Sequence, residues 1–258
     1  MTPDRATAAL AALVAAMTVA FAPGPDAAGR AAVEDRVVRT VALADDQALS
    51  LAVSAGTVRV TGDASRADVR IEIVRRAPSA SGLAAIPIEV GQNGGAVHVD
   101  VTERDHASDP ARRVEITVAA PPSARIGPIT LDEGTLTIRG LDRSVRGTVT
   151  RGDVAAADVA GEVRLETTIG SIDVRRARVT DGGVIRLRTF NGDVTLGLSG
   201  PIENARVMAL ALNGTIRSSL PLVMKDRWGP RWGEASIGPA TRVVSIDVVT
   251  GSIRVDVS

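Results

Sequence analysis

The sequence contains no cysteine and no tyrosine, and aromatic residues make up only 2% of its 258 positions. Without cysteine there is no disulfide framework, no zinc–thiolate site, no iron–sulfur cluster and no thiol nucleophile. So few rings leave little material for a base-stacking or sugar-stacking surface. Basic and acidic residues number 30 each, and this balance argues against a basic nucleic-acid binder. We therefore expect no nucleic-acid partner and no cofactor.

Residues 1–29 have the order of regions of a secretory signal peptide. A short polar start that contains Arg5 precedes an uncharged, alanine-rich stretch from Ala6 to Ala22, which Pro23 ends. An uncleaved anchor helix is the alternative, but a spanning helix needs about 20 strongly apolar residues and this stretch is shorter. We expect a cleaved signal peptide, a mature chain exported to the periplasm or the cell exterior, and no stable membrane span after cleavage.

Short segments that begin with glycine and continue with alternating aliphatic residues recur through the second half of the chain. They are GTLTI (134–138), GDVAA (152–156), GSIDV (170–174), GDVTL (192–196), GTIRS (214–218) and GSIRV (251–255). Their glycines are 18, 18, 22, 22 and 37 residues apart. Similarity at a period near twenty is the signature of a repeat architecture.

The repeat also holds at single positions. Two residues after each glycine the residue is aliphatic: Leu136, Val154, Ile172, Val194, Ile216 and Ile253. Seven residues before each closing glycine it is β-branched: Val145, Val163, Ile185, Val207 and Val244. Each period therefore predicts two short strands with alternating inward residues, separated by glycine-containing turns.

These periods predict an all-β fold in which short strands stack as a β-solenoid-like array. One period cannot bury its own apolar face, whereas stacked periods align equivalent residues into aliphatic columns. A β-sandwich of antiparallel hairpins is the alternative, but a sandwich does not require register between periods. The segments GTVRV (56–60) and GAVHV (95–99) extend the pattern more loosely at a spacing of 39 residues. We expect a looser N-terminal β-layer over 30–130, continuous with regular repeats over 131–258.

The order of these segments resembles the bacterial "putative adhesin" β-strand-repeat family of unknown function. The similarity rests on RVEITVAAPPSARI (113–126), then LDEGTLTIRGL (131–141), then repeated G-x-V-x-L units with T-x-x-G or NG endings, and it covers residues 40–258. The resemblance implies a β-solenoid-like array and a protein that is exported or attached to a membrane. It implies no catalytic residues.

Outward positions beside the aliphatic columns carry arginines. If the register holds, Arg146, Arg164 and Arg186 stack on consecutive layers with Arg188 alongside, and Glu166 is the obvious neutralising neighbour. Arginine forks recognise carboxylates, phosphates and sulfates, so this ladder is a candidate site for an anionic glycan. The alternative is a solvated face that resists aggregation. The following layer presents Met208 and Leu210 at the equivalent positions, and exposed apolar pairs mark partner surfaces when they adjoin others.

The segment 220–238 interrupts the last and longest period. It holds two tryptophans beside three cations, and the candidate binding residues among them are Arg227, Trp228, Arg231 and Trp232. Two rings in a loop with glycine and proline indicate a sugar-binding or protein-binding knob. The alternative is a cap that covers the open end of the stack.

Metal-binding and catalytic patterns are weak. Only His98 and His106 are present, no calcium-loop spacing is found, and no G-x-S-x-G elbow occurs. We therefore expect no metal and no enzymatic activity, and predict an exported, adhesin-like envelope scaffold or interaction module whose partner is an envelope protein or an anionic glycan. A glycan-active β-helix enzyme, such as a polysaccharide lyase, is the alternative. Self-assembly through the ends of the stack is a third hypothesis.

Overall fold

The computed structural model describes residues 32–93, 95–103, 111–200, 202–225 and 229–257. Within these ranges the chain is all-β, as predicted, and its nineteen strands belong to one mixed sheet that is not closed. One short helix, α1 (Ala80–Ala84), begins at the N-cap Ser79. The strands are β1 (Val33–Val41), β2 (Ala48–Gly62), β3 (Val69–Ala77), β4 (Glu89–Asn93), β5 (Ala96–Val101), β6 (Arg113–Ala120), β7 (Arg125–Arg139), β8 (Ser144–Arg151), β9 (Val154–Ala157), β10 (Glu162–Ile169), β11 (Ile172–Ala177), β12 (Val184–Asn191), β13 (Val194–Leu198), β14 (Ala205–Asn213), β15 (Ile216–Ser218), β16 (Val223–Lys225), β17 (Arg231–Ile237), β18 (Arg242–Thr250) and β19 (Ile253–Val257). The predicted signal peptide lies outside the described residues.

Most strands pair in parallel in two adjoining series, which we call the first arm and the second arm. Each layer gives one strand to each arm, and β2 and β7 are long enough to span both. The first arm runs β5, β2, β7, β8, β10, β12, β18, β14, and the second arm runs β6, β2, β7, β9, β11, β13, β19, β15. Antiparallel strands extend the ends: β4 pairs with β5, β3 pairs with β6 and β1 with β3, and β17 pairs with β14 and β16 with β17.

The repeat register predicted from the sequence is confirmed in both arms. Val163 pairs with Val145 on one side and with Ile185 on the other. In the second arm, Val154 pairs with Leu136 in the same way. All of these side chains are at most 1% exposed and belong to one continuous apolar cluster. Alternation along each strand thus sends one set of side chains into this core and the other set to the surface.

A column of glycines marks the turn between the two arms. A Cβ atom added to Gly152 would lie 1.7 Å from the carbonyl oxygen of Gly134, and one added to Gly170 would lie 2.0 Å from that of Gly152. Gly170 also has a φ of +144°, a backbone conformation that residues with a side chain rarely adopt. Glycine is needed here because each layer sits directly on the backbone of the layer before it.

The order of the layers differs from the order of the sequence at the C-terminal end. The last first-arm strand, β18, lies between β12 and β14 and pairs in parallel with both. The long interval of 37 residues between Gly214 and Gly251 makes this possible, because it contains a hairpin and the return to the inner position. Met208 therefore neighbours Ser245, and the expectation that its layer follows that of Arg186 is wrong.

The N-terminal end shows a similar insertion. Strand β2 pairs along nearly its whole length with β7 on one side, and with β5 and β6 on the other. Gly56 lies opposite Gly134 and so joins the glycine column. Gly95, which has the same spacing of 39 residues in the sequence, is not opposite either glycine, because β5 pairs only with the first half of β2.

Candidate binding face

Three arginines lie at one outward position on neighbouring first-arm strands, as the spacing predicted. Arg164 of β10 is in register with Arg146 of β8 and with Arg186 of β12. Arg188 lies two residues further along β12, in register with Glu166. Since the residues that alternate with these are buried, all four arginine side chains belong to the outer surface of the first arm.

Glu162 neutralises the first two arginines of this row. Arg146 Nη2 donates hydrogen bonds to both carboxylate oxygens of Glu162, at 3.0 and 3.1 Å. Arg164 Nε lies 2.8 Å from Glu162 Oε1, without the alignment of a hydrogen bond. The expectation that Glu166 is the neutralising neighbour is therefore wrong. Glu162 has the same outward parity as Arg164, at the start of the same strand, and so reaches the arginine of the preceding layer diagonally.

Arg186, the third arginine of this row, and Arg188 beside it differ from the first two because no described carboxylate neutralises them in an ion pair. Both are exposed, and within the described part of the chain neither has a carboxylate within 4.0 Å. Asp247 is in register with Arg188 on the next strand but accepts a 3.5 Å hydrogen bond from Ser245. Two exposed guanidinium groups without an ion pair to any described residue thus lie on one strand, two residues apart and on the same face.

Exposed apolar side chains adjoin these two arginines. Phe190, Val249 and Leu212 occupy the same outward position on β12, β18 and β14. This follows because the residues before and after each of them are in register across the three strands. Phe190 is 59% exposed and Leu212 is 42% exposed. This row was not among the predicted sites, although the sequence contains a signal for it: the residue two positions before the closing glycine is apolar in these three periods.

The hairpin of β16 and β17 adds Trp232 to the same face. Trp232 lies opposite Leu210 across the antiparallel pair of β17 and β14, and the Nζ atom of Lys225 lies 4.4 Å from the centre of its ring. Arg231 is exposed at the start of β17. Arg227 and Trp228 lie outside the described residues. We call the surface formed by Arg186, Arg188, Phe190, Val249, Leu212 and Trp232 the basic–apolar face.

A separate groove of about 750 Å³ lies where β2 and β7 pass from one arm to the other, beside the start of β6. Its charged lining residues are Arg76, Glu103, Arg112, Arg113, Glu115 and Glu133. Most of these charges form ion pairs: Glu115 with Arg59 and with Arg76, Glu133 with Arg151 at 3.5 Å, and Arg112 with Glu103 at 3.6 Å. The groove therefore contains many charged side chains, but ion pairs with neighbouring residues neutralise most of them.

Of the two histidines, only His98 lies in the part of the chain that the structure describes. The His98 side chain is half exposed, and its Nδ1 atom is 2.8 Å from the hydroxyl of Ser50. His106 lies outside the described residues. Among the residues that the structure describes, no group of three or more histidine, aspartate or glutamate side chains is placed to hold a metal ion. The same residues include no helix that is long and apolar enough to cross a membrane.

Comparison with known proteins gives similarity in fold. No protein-family model and no curated protein matches the sequence. A solved structure described as a putative cell adhesion protein from Clostridium sporogenes is similar over 87% of this chain and 100% of its own, with a TM-score of 0.54 and 12% identity. A putative adhesin from Bacteroides fragilis is similar over 86% of this chain and 97% of its own, with a TM-score of 0.31 and 12% identity.

The Clostridium sporogenes structure, which is named a putative cell adhesion protein, confirms the resemblance in fold. At 12% identity the likeness concerns the fold alone, so it transfers no residue and no ligand to this chain. The binding chemistry of the basic–apolar face therefore depends on its own side chains.

Proposed function

We propose that the protein is an exported, non-enzymatic interaction module of the adhesin type, which binds an anionic glycan of the cell envelope through its basic–apolar face. The observation that carries the proposal is the pair of exposed arginines, Arg186 and Arg188, without an ion pair and next to exposed Phe190. Guanidinium groups bind carboxylate or sulfate groups in a bidentate manner, and an adjacent ring offers a flat surface for a sugar.

The stacked layers suit this role because they form a rigid support. In the proposed β-solenoid-like arrangement, looser layers over 30–130 continue into regular layers over 131–258, and β12 holds both Arg186 and Arg188. Two residues along a strand span about 6.6 Å, so an anionic polymer that lies along β12 would meet two positive charges at that interval. Such binding needs little change of backbone shape.

The proposal is tested with the full chain and defined polymers. We expect dextran sulfate to bind to the wild-type protein and neutral dextran not to bind. Replacement of both Arg186 and Arg188 with glutamine should weaken the binding of dextran sulfate about tenfold or more, because each lost arginine removes charge-assisted hydrogen bonds. Calorimetry or surface plasmon resonance at fixed salt measures the change.

Matched variants separate this face from general charge. Arg178 and Arg217 are exposed arginines elsewhere on the sheet, and a double glutamine variant of these two should bind within about twofold of the wild type, since distant surface charges contribute little. Equal weakening in both double variants would indicate non-specific attraction and would contradict the proposal. Loss of binding in a variant with Phe190→Ala and Leu212→Ala would show that the apolar row takes part.

A glycan-active enzyme is the second candidate, and the groove with Glu103, Glu115 and Glu133 is the observation that favours it. Its ion pairs favour a structural role for these carboxylates. Incubation of the protein with polyuronates, followed by measurement of reducing ends, distinguishes the two. Turnover in the wild type that Glu115→Gln abolishes would support the enzyme, whereas no turnover in either protein supports the binding module.

A further inference from the structure

A second cavity, far from the basic–apolar face along the chain, has a different composition. It has a volume of about 280 Å³ and lies where several connections meet: the segment before β2, the loop between β2 and β3, the turn between β6 and β7, and the turn between β7 and β8. The polar side chains that line it are Asp45, Gln47, Arg66, Ser123, Arg125 and Arg143. Three guanidinium groups therefore share one small concave space with one carboxylate.

The cations of this cavity are incompletely paired. Arg66 Nη2 is 2.6 Å from Asp68 Oδ1, but Arg66 Nε is buried and has no hydrogen-bond partner in the described residues. Arg125 and Arg143 form no ion pair with any described residue. Arg125 is in register with Ser144, the first residue of β8, and Arg143 comes directly before that strand. Like charges that line the same small cavity repel one another, and a bound anion would reduce this repulsion.

Neutral donors complete the lining. The side-chain oxygen of Gln47 accepts a 3.1 Å hydrogen bond from the backbone N–H of Ala44, which leaves the amide NH₂ group of Gln47 to donate elsewhere. The hydroxyl of Ser123 is a further donor in the same wall. A buried donor without a partner is costly, and an oxygen of a bound anion would satisfy several of these groups together.

We propose that this cavity is a binding site for an oxyanion, that is, a phosphate, sulfate or carboxylate group, held by Arg66, Arg125 and Arg143. Its volume suits one such group with a few water molecules, not a long polymer. The site is independent of the proposed glycan-binding face, because no residue is shared between them.

The test uses the full chain with inorganic sulfate, inorganic phosphate and acetate, each compared with sodium chloride at equal ionic strength. We expect a saturable increase in Tm and a stoichiometry of one anion per chain by calorimetry for at least one of these anions. Comparison of the three probes separates a tetrahedral anion from a carboxylate. No saturable effect beyond that of chloride with any probe would overturn the proposal.

Two double variants make the result specific. Replacement of Arg125 and Arg143 with glutamine should weaken anion binding about tenfold or more, because each arginine contributes charge-assisted hydrogen bonds. The Arg186→Gln and Arg188→Gln variant should bind the small anion like the wild type, and so keeps this site distinct from the proposed function. Unchanged anion binding in the Arg125 and Arg143 variant would overturn the proposal. Tm values of the two variants in chloride that equal the Tm of the wild type would show that both variants fold normally.

Discussion

At the scale of single residues, the most constrained positions are the glycines between the arms. Their role follows from two facts that act together: a positive φ, and the carbonyl oxygen of the neighbouring layer at the place where a side chain would begin. Neither fact involves ligand binding or catalysis. The glycines are needed because layers that hydrogen-bond in parallel cannot move apart locally to admit a methyl group.

We predict that Gly170→Ala destabilises the protein by about 3 kcal/mol or more, since the new Cβ would lie 2.0 Å from the carbonyl oxygen of Gly152 and the backbone would be strained. Urea unfolding measures the change in the free energy of unfolding. Gly91→Ala is the matched control, because an added Cβ there would have no atom within 4 Å, and it should change stability by less than about 0.5 kcal/mol. Similar costs at both positions would contradict the steric explanation.

A second prediction at this scale concerns Asp158. Arg176 donates two hydrogen bonds to its carboxylate, at 2.6 and 2.5 Å, and they hold the pKa of Asp158 below its ordinary value of 3.8. Because the folded-state pKa is lowered, the pair stabilises the fold above the unfolded pKa. This contribution is lost as the pH falls through the folded value. Arg176→Gln should raise the pKa of Asp158 towards 3.8, as measured by NMR titration.

Asp63 provides the internal control for that titration. Its pKa is also lowered, mainly because Ser65 donates hydrogen bonds to it through the side-chain hydroxyl and the backbone N–H. Since Arg176 is not among the causes, the pKa of Asp63 should be the same in the wild type and in the Arg176→Gln variant. A parallel rise at both aspartates would indicate a general change in the folded state instead of the loss of one pair.

At the scale of elements, the hairpin of β16 and β17 has two possible roles that its position makes testable. Strand β17 pairs along most of β14, so the backbone groups of β14 are hydrogen-bonded on both sides. The strand left at the edge is β16, which has only three residues, all of them exposed. A short edge strand is a poor template for association with another chain.

We predict that replacement of residues 220–238 with a short glycine–serine linker leaves the stack folded but exposes β14 and causes concentration-dependent association. Light scattering and size-exclusion chromatography measure the association, and circular dichroism measures the fold. Trp232→Ala keeps the strand and removes only the ring, so this variant should stay monodisperse. If the linker variant also stays monodisperse, the hairpin is not a cap, and Trp232 belongs to the binding face alone.

The sequence predicted the elements well where the information is local. Alternation and the glycine spacing were enough to pair Val163 with Val145 and to align Arg146, Arg164 and Arg186, because each depends on counting within one period. The order of layers could not be obtained in the same way. Val194, Ile253 and Ile216 are nearly equivalent in size and shape, so any of them fits beside any other, and nothing local says that Ile253 lies between the other two.

The sites were predictable only in part, for a similar reason. The arginine row came from the repeat, but the pairing of Arg146 with Glu162 depends on a diagonal contact between strands, which periodicity does not describe. The cavity with Arg66, Arg125 and Arg143 joins loops that are far apart in the sequence. Such a cluster is set by the path of the whole chain, so no window of residues contains it.

At the scale of the whole molecule, stability should vary along the stack. Central strands such as β10 and β12 are hydrogen-bonded on both sides, whereas β1 and β16 have one paired neighbour each among the strands that the structure describes. In stacked architectures each layer contacts only its neighbours, so opening begins at the ends.

We predict that backbone amides of β10 and β12 exchange with solvent at least about a hundredfold more slowly than those of β1 and β16, because exchange in the centre requires several layers to open first. Hydrogen–deuterium exchange followed by mass spectrometry measures the difference. Strand β18 is the informative comparison: although it is near the end of the sequence, it should exchange as slowly as β12. Fast exchange there would mean that its two parallel pairings are not stable in solution.

The place of β18 between β12 and β14 also determines when this part of the sheet can form during synthesis. During synthesis, β14 is made before β18, so its permanent neighbour in the sheet leaves the ribosome later than β14 itself. Until then, the edge of β12 has no partner, and β14 cannot occupy its final position without leaving a gap one strand wide. Strands β12 and β14 therefore cannot reach their final arrangement, strand by strand, before β18 has been made. A chain that stops short of residue 242 lacks an inner strand, not an outer one.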